Sequence, residues 1–290
     1  MSGKALVLGS TGMLGSAVYS ELEKAGINPI SASRTSGIKF DATTLMVDEL
    51  FSSAGLSEGD FVVNCVGLTK SRINELSSGD RALAVRLNVD FPDALASSAE
   101  RAGVRVIQVA TDCVFSGQRG AYSEADKHDP LDVYGKTKSL GEVPSEAVMH
   151  LRCSLIGPEV GRSSLFFEWV RQQPKGARIT GFTNHNWNGL SSDAFGRIVS
   201  GIVKSDAFRP GVQHLVPADT LTKDQLVRGV LDELSRIDVQ VQSGLASELV
   251  DRTLATENSE FNAQLFGLAG YEQLPTIRQM IHETCSQLAN

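Results

Sequence analysis

Several features are scarce or missing in this 290-residue chain, and each absence excludes a class of protein. The four cysteines form no C-x-x-C pair, so their spacing indicates neither a zinc site nor a redox dithiol. No apolar run approaches the ~20 residues that a membrane span needs. The chain has 27 basic and 34 acidic residues, a net charge of −7, and no basic block, which disfavours nucleic acid and anionic membranes as partners.

The amino terminus also lacks the apolar core of a signal peptide, because glycines interrupt the short run Ala5–Leu8. Scattered cysteines without a disulfide pattern are typical of a reducing compartment. We therefore expect a cytoplasmic protein with free thiols.

Short apolar segments alternate with longer amphipathic ones along the first half of the chain. The strand-length segments are 5–8, 61–64, 104–109 and 150–153, and helical spacing runs through 13–25 and 82–102. Consecutive apolar residues suit strands that are buried on both faces. The pattern predicts an α/β fold with a doubly wound parallel sheet of the Rossmann type.

After Pro158 the pattern changes, which predicts a smaller, mostly helical substrate lobe. We expect residues 1–158 plus roughly 185–216 to form the nucleotide-binding domain, and roughly 159–184 and 217–290 to form the lobe. A cleft between the two would be the place for a ligand.

Three glycines, Gly9, Gly12 and Gly15, stand in the sequence G-S-T-G-M-L-G between the first strand and the first helix. Such glycines permit a tight turn, a close approach of the backbone to a pyrophosphate, and close packing of helix on strand. A glycine-rich turn can merely join a strand to a helix, but this position, directly after the first strand, favours dinucleotide binding.

The second predicted strand, 28–33, indicates which dinucleotide is bound. It ends in Ser33 and Arg34, without the carboxylate that binds a ribose 2′-hydroxyl in NAD-dependent proteins. A guanidinium and a hydroxyl suit a 2′-phosphate, which favours NADP (NADPH), although Arg34 can also be a solvated loop residue.

A proton-transfer site is predicted from Thr111, Tyr134 and Lys138. The tyrosine and lysine stand four residues apart in Y-G-K-T-K, on one face of a helix, and Thr111 follows the strand 104–109. We expect Lys138 to lower the pKa of the phenol towards neutrality and to hold the nicotinamide ribose, and Thr111 to orient a carbonyl. The Y-x-x-x-K spacing is common by chance, but its combination with the glycine turn and Thr111 favours catalysis.

These motifs resemble those of the extended short-chain dehydrogenase/reductase superfamily. Within it, G-S-T-G-M-L-G, A-T-D-C-V-F-S-G from Ala110 and Y-G-K-T-K-S-L-G-E from Tyr134 are most similar to dTDP-4-dehydrorhamnose reductases and related nucleotide-sugar 4-ketoreductases. The resemblance covers residues 1 to about 158. It implies NADPH-dependent reduction of the 4-keto group of a nucleotide-linked 6-deoxyhexose.

The resemblance also implies roles for individual residues. Tyr134 would protonate the oxygen of the keto group as it is reduced, and Lys138 would tune Tyr134. Thr111 would position the substrate carbonyl. The remaining residues implied to contact the cofactor are Gly9, Ser10, Thr11, Gly12, Met13, Leu14, Gly15, Asp41, Cys65, Val66, Gly67, Thr69, Cys153, Ser154, Leu155 and Ile156.

The substrate end departs from the reductase pattern. Cys113 and Ser116 replace an aromatic residue and an aspartate, and the stretch 181–189 has no counterpart in those enzymes. The residues we expect to contact substrate are Asp112, Cys113, Phe182, Trp187 and Asn188. His185 has no second ligand at a metal-like spacing, so no metal is expected.

Other functions remain open. A dehydratase is disfavoured because Cys113 replaces the glutamate that follows Thr-Asp in such enzymes. An epimerase would use the same tyrosine and lysine. A protein of another class, a non-catalytic NADP-binding regulatory subunit, would need none of the three catalytic residues. The expected partner is a nucleotide-sugar substrate, and a homodimer is possible.

Overall fold

The computed structural model describes residues 3–159 and 165–288. The strands are β1 (Ala5–Leu8), β2 (Ile30–Ser33), β3 (Ile38–Lys39), β4 (Phe61–Asn64), β5 (Arg105–Thr111), β6 (Val148–Cys153), β7 (Leu155–Ile156), β8 (Arg178–Phe182), β9 (His185–Trp187), β10 (Leu190–Ser191), β11 (Gly211–His214), β12 (Leu221–Thr222), β13 (Gln240–Gly244) and β14 (Val250–Asp251). The helices are α1 (Met13–Lys24), α2 (Val47–Ala54), α3 (Ser78–Val85), α4 (Phe91–Ala102), α5 (Val133–Leu140), α6 (Phe166–Arg171), α7 (Ser192–Ser205), α8 (Lys223–Glu233), α9 (Ser259–Leu268) and α10 (Ile277–Leu288).

Seven parallel strands form the main sheet, in the order β3-β2-β1-β4-β5-β6-β11. Val7 in the middle of the sheet pairs with Ser31 on one side and Val63 on the other. This order reverses at β1, as in Rossmann-type sheets, so the carboxyl ends of β1 and β4 flank a crevice. The predicted fold class is confirmed.

The strands are buried on both faces, as their consecutive apolar residues predicted. In β1, Ala5 and Val7 face one hydrophobic cluster and Leu6 and Leu8 face the other. Because successive side chains of a strand point to opposite faces, a run of four apolar residues serves both layers of helices. Within the described ranges, no helix has both the length and the apolar character needed to cross a membrane.

The predicted helix 82–102 is interrupted. Helices α3 and α4 are joined by a π-helical turn, Arg86–Asp90, so the helical segment starts earlier than predicted and is not regular. Pro92 lacks an N–H and cannot donate to the carbonyl of Asn88 four residues before it. Instead the Phe91 N–H bonds to the Arg86 carbonyl, five residues back. The π turn places Asn88 in the interior, 1% exposed.

The second half of the chain is less helical than predicted. Three small sheets accompany its helices: β8 with β13, β9 between β12 and β14, and β7 with β10. Strand β9 takes its partners from residues 221–222 and 250–251, which sequence periodicity alone does not bring together. The division of the chain into two units stays a prediction, and residues 160–164 of the predicted lobe lie outside the described part.

A buried arginine connects the large sheet to the loops around it. Arg152 in β6 is 1% exposed, and its guanidinium donates to Glu142, to His128 Nε2 at 2.8 Å and to His214 Nε2 at 2.6 Å. Burial lowers the pKa of both histidines, which keeps them neutral so that they can accept these bonds. His214 Nδ1 in turn donates to the Ala255 carbonyl at 2.7 Å.

We predict that Arg152→Ala lowers the free energy of unfolding by about 3 kcal/mol or more, because it leaves the buried Glu142 carboxylate without its counter-charge. The control is Arg101→Ala, since Arg101 pairs with Asp48 on the surface and such pairs contribute less than about 1 kcal/mol. Urea denaturation measures both values. Equal losses in the two variants would contradict the role given to Arg152.

Candidate functional site

A cleft of about 760 Å³ opens at the carboxyl ends of the central strands. This volume lies within the usual range for small-molecule sites. Its wall is formed by Gly9, Thr11, Gly12, Met13, Leu14, Gly15, Ala32, Ser33, Arg34, Phe40, Asp41, Ala42, Thr43, Cys65, Val66, Gly67, Leu68, Thr69, Lys70, Ser71, Arg72, Leu83, Leu87, Val109, Ala110, Thr111, Asp112, Cys113, Tyr134, Lys138, Cys153, Ser154, Leu155, Glu159 and Leu165. Most of the residues predicted to bind cofactor thus line one cleft.

The glycine turn has the geometry of an anion cradle. Gly9 has a φ of +74°, and a Cβ on Gly15 would lie 2.1 Å from the Gly9 carbonyl oxygen, so neither position accepts a side chain without rearrangement. Gly12 is the N-cap residue of α1 and has no side chain that could cap the helix. The first N–H groups of this 12-residue helix are therefore available to a ligand at the positive end of the helix dipole.

The residues after β2 form the far end of the cleft. Arg34 is exposed there, while Ser33 is buried and its hydroxyl accepts a bond from the Ser36 N–H at 2.8 Å. Asp41 caps the following turn by accepting a bond from the Thr43 N–H at 2.9 Å. The Ser33 hydroxyl thus holds the loop that carries Arg34. Of these two residues, Arg34 is the one exposed to solvent.

Asn88 holds the loop after β4 against α5. Its amide donates to the Leu68 carbonyl and to Thr137 Oγ1, both at 3.1 Å, and its carbonyl oxygen accepts from the Leu68 N–H at 2.8 Å. Thr137 lies between Tyr134 and Lys138 on α5. One buried side chain therefore fixes the distance between the cleft floor and the helix that carries the predicted catalytic pair.

The predicted catalytic residues meet at the end of β5. Thr111 is the last residue of that strand; its hydroxyl accepts from the Cys113 N–H at 3.2 Å, and it lines the same cleft as Tyr134. Lys138 Nζ donates to the Val109 carbonyl at 2.8 Å. Asp132 caps α5 by accepting a bond from the Gly135 N–H at 2.7 Å, which fixes where the helix begins.

The pKa of Tyr134 is not lowered by Lys138 as expected. Burial is the main cause that raises the pKa of Tyr134, and Cys113 and Asp112 add to it. Burial lowers the pKa of Lys138 to about 8. The phenol is therefore held in its protonated form rather than brought towards ionisation, because both groups sit in a desolvated place and the lysine bonds to the backbone.

Asp112 and Cys113 line the cleft next to Thr111, as predicted for the substrate end. Burial raises the pKa of Asp112, and it raises that of the Cys113 thiol to about 12. Among the described residues, no cluster of three potential ligands suits a metal ion.

Three residues expected to contact substrate lie elsewhere. Trp187 is 5% exposed in the main core, and its Nε1 donates to Ser154 Oγ at 2.8 Å. Asn188 is 8% exposed and bonds in both directions to the backbone of Leu254. Both side chains make internal contacts and neither is in the cleft wall, and their contact with substrate stays a prediction. Phe182 packs near His185, with ring centroids 5.1 Å apart, away from the cleft wall.

Two residues predicted to contact cofactor are not in the described cleft wall. Ser10 lies in the glycine turn without reaching the wall, and Ile156 in β7 is 5% exposed. Sequence reasoning also missed Asn88. The sequence signal for it is its position, since it is a polar residue four positions before Pro92 in an amphipathic helix.

The sequence profile of the RmlD substrate binding domain matches residues 3–156. The chain belongs to the RmlD substrate binding domain family. The resemblance inferred from the glycine turn, Thr111 and the tyrosine–lysine pair is thereby confirmed.

Two curated relatives show what kinds of protein share RmlD-like sequence. The methionine adenosyltransferase 2 subunit beta of Rattus norvegicus is 32% identical over 143 residues, 49% of this chain and 42% of the relative. The dTDP-4-dehydrorhamnose reductase of Mycobacterium tuberculosis is 28% identical over 146 residues, 49% of this chain and 45% of the relative. The similarity thus spans less than half the length of either relative.

Solved structures match the RmlD-like fold over the chain as a whole. A dTDP-4-dehydrorhamnose reductase from Clostridium acetobutylicum has a TM-score of 0.79 at 19% identity, covering 99% of this chain and 100% of that one. One from Bacillus anthracis, in complex with NADP, has a TM-score of 0.78 at 16% identity, covering 99% and 100%. At these identities the matches establish the fold.

We predict that Asn88→Ala loosens the loop after β4 and lowers the free energy of unfolding by about 2 kcal/mol, because it leaves the buried N–H and carbonyl of Leu68 without partners and removes the donor to Thr137 Oγ1. Cys65, at the start of that loop, should then react faster with a thiol reagent, as measured by mass spectrometry at that site. The exposed Asn74→Ala is the control. An unchanged Cys65 rate in Asn88→Ala would contradict this role.

Proposed function

We propose that this protein is an oxidoreductase that uses NADPH to reduce the 4-keto group of a nucleotide-linked 6-deoxyhexose. The observation that carries the proposal is one cleft that contains both the uncapped glycine turn of α1 and the group Thr111, Tyr134 and Lys138. Family membership and the mycobacterial relative, a dTDP-4-dehydrorhamnose reductase, support it.

The cleft fits a dinucleotide with a 2′-phosphate. The approach of Gly15 to the Gly9 carbonyl and the free N–H groups of α1 suit a pyrophosphate, and Arg34 suits the 2′-phosphate. The Bacillus anthracis neighbour is in complex with NADP, which supports this choice. When bound, NADPH supplies the hydride for the reduction.

Tyr134 acts as the proton donor. Reduction of a ketone needs a proton on the oxygen as the carbon is reduced, so the acid form of the residue is the useful one. A pKa held above the usual phenol value by burial keeps Tyr134 protonated over the working pH range. Thr111, which lines the same cleft, orients the substrate oxygen towards the Tyr134 hydroxyl.

Lys138 stabilises the phenolate that remains after proton transfer. Its Nζ is held by the Val109 carbonyl at 2.8 Å, on the same face of α5 as Tyr134. With a pKa of about 8, Lys138 can give a proton to Tyr134 and recover one from solvent near neutral pH. The ammonium group of Lys138 also suits hydrogen bonds to the ribose hydroxyl groups of the cofactor.

We predict that Tyr134→Phe lowers kcat for NADPH oxidation by at least about 100-fold, because the variant lacks the general acid. The assay follows absorbance with dTDP-, UDP- and GDP-linked 4-keto-6-deoxysugars. Tyr122→Phe is the matched control, since Tyr122 is a buried tyrosine that lies outside the cleft wall. Full activity in Tyr134→Phe, or no turnover of any substrate by the wild type, would overturn the proposal.

A separate test concerns Arg34. We predict that the wild type has a lower KM for NADPH than for NADH, and that Arg34→Ala raises the KM for NADPH about tenfold while leaving that for NADH unchanged, because the guanidinium contacts only the 2′-phosphate. Steady-state kinetics with the two coenzymes measures this. Equal KM values in the wild type would contradict the NADP preference.

The rat relative favours a second candidate, a regulatory subunit. Its name describes a subunit beta of methionine adenosyltransferase 2, and it is as similar to this chain as the reductase is. Such a protein would bind dinucleotide and a partner enzyme without turnover. Cofactor binding by calorimetry, with no oxidation of NADPH by any keto sugar, would favour this candidate. A homodimer and a cytoplasmic location remain predictions.

A further inference from the structure

One aromatic side chain of the core bonds to a residue of the cleft wall. Trp187 is 5% exposed and lies in the main hydrophobic cluster, and its indole Nε1 donates to Ser154 Oγ at 2.8 Å. Ser154 is among the described residues of the cleft wall, and Trp187 is not. The mechanism above uses neither residue. The single polar atom of the indole is therefore bonded to the hydroxyl group of a cleft residue.

The segment that carries Trp187 also fixes the backbone of Ser154. The Leu190 N–H donates to the Ser154 carbonyl at 2.9 Å, and Leu190 pairs with Leu155 between β10 and β7. A Cβ on Gly189 would lie 2.3 Å from the Ser154 carbonyl oxygen and 2.4 Å from Cζ2 of Trp187, so a side chain there would displace one of them. One segment thus holds Ser154 through both its main chain and its side chain.

The bond from Trp187 determines the polarity of the Ser154 hydroxyl. A serine hydroxyl has one O–H donor and two acceptor lone pairs, and an indole N–H can only donate. Ser154 therefore accepts from Trp187, and its own proton points to a different partner. In the ranges 3–159 and 165–288, the hydroxyl donates to no protein acceptor. A ligand that covers this half-buried hydroxyl must accept its proton, because a donor that is desolvated without a partner costs free energy.

Ser154 lies at the catalytic end of the cleft. Cys153 pairs with Thr111 across β6 and β5, and Ser154 is the next residue of the chain. The carboxyl ends of parallel strands meet at one edge of the sheet, which is also the edge that carries Thr111, Tyr134 and Lys138. Hydride transfer at this group requires the nicotinamide ring at the same edge. The carboxamide of that ring has one acceptor oxygen and one donor NH₂ group.

We propose that Trp187 is a positioning residue, which orients the Ser154 hydroxyl so that it donates to the carboxamide oxygen of the nicotinamide. This inference rests on the proposed use of NADPH. A hydroxyl that is restricted to donating selects the carboxamide oxygen over the NH₂ group, and so favours one orientation of the ring. Trp187 acts through Ser154, without touching the cofactor itself.

The test measures the binding of three ligands by calorimetry, without turnover. They are NADP⁺, its thionicotinamide analogue, in which sulfur replaces the carboxamide oxygen, and 2′-phospho-ADP-ribose, which has no nicotinamide. Sulfur accepts hydrogen bonds more weakly than oxygen. We expect the wild type to bind NADP⁺ about fivefold more tightly than the analogue, a ratio typical of one hydrogen bond.

The informative variants are Ser154→Ala, which removes the donor, and Trp187→Phe, which keeps an aromatic ring but removes the indole N–H. Both are expected to weaken NADP⁺ binding about threefold to fivefold and to remove most of the preference for oxygen over sulfur. Their affinity for 2′-phospho-ADP-ribose should stay unchanged, whereas damage to the fold would weaken all three ligands alike. Ser154→Thr keeps the hydroxyl and should retain the preference.

Trp169→Phe is the matched control. Trp169 is the other tryptophan of the chain, is 43% exposed and is not among the described residues of the cleft wall. The same substitution at this position should leave the affinities for all three ligands unchanged.

Loss of the preference for oxygen in Ser154→Ala and Trp187→Phe, with its retention in Ser154→Thr, supports the inference. Equal binding of NADP⁺ and the thionicotinamide analogue by the wild type would overturn it. An unchanged preference in Trp187→Phe, or losses in that variant that are equal for all three ligands, would do so as well.

The same proteins separate this inference from the proposed function. Turnover of a keto sugar by a wild type that lacks the preference overturns the inference alone. A preference that depends on Ser154 and Trp187, without turnover of any keto sugar, overturns the proposed function alone. No binding of NADP⁺ by the wild type would overturn both.

Discussion

The structure depends on one constraint, the parallel direction of all seven strands in the main sheet. Parallel strands bring their carboxyl ends to a single edge, so the turn after β1, the loop after β4 and Thr111 at the end of β5 become neighbours although they are far apart in sequence. The glycine turn and the tyrosine–lysine pair share a cleft for this reason. Helices on both faces bury the strands and keep that edge in place.

The cations in the interior differ in how many hydrogen-bond partners the protein gives them. Arg152 is surrounded by acceptors, Glu142, His128 and His214, and stabilises the fold. Lys138 has one backbone acceptor and faces the cleft. As the number of protein partners falls, the remaining donors become available to a ligand. An acidic chain of net charge −7 can therefore offer sites for anions.

Sequence reasoning succeeded where a pattern is local. Strands β1 and β4 have the predicted bounds, and β5 and β6 agree to within two residues, because runs of apolar residues suit strands buried on both faces. It failed where a contact is distant. The indole N–H of Trp187 donates to Ser154, 33 residues earlier, a contact that no local pattern indicates. The small sheets of the second half likewise pair short strands that lack a periodic signal.

The sequence by itself determined the fold class, the family resemblance and the glycine turn, and it predicted the catalytic group Thr111, Tyr134 and Lys138, because each rests on residues close together in the chain or on regular spacing. Only the tertiary structure decided the protonation of the site and the residues that support it. Burial, and not the neighbouring lysine, controls the pKa of Tyr134. Asn88 reaches the site through folding, since the hydrogen-bonding environment of a site arises from residues distant in sequence.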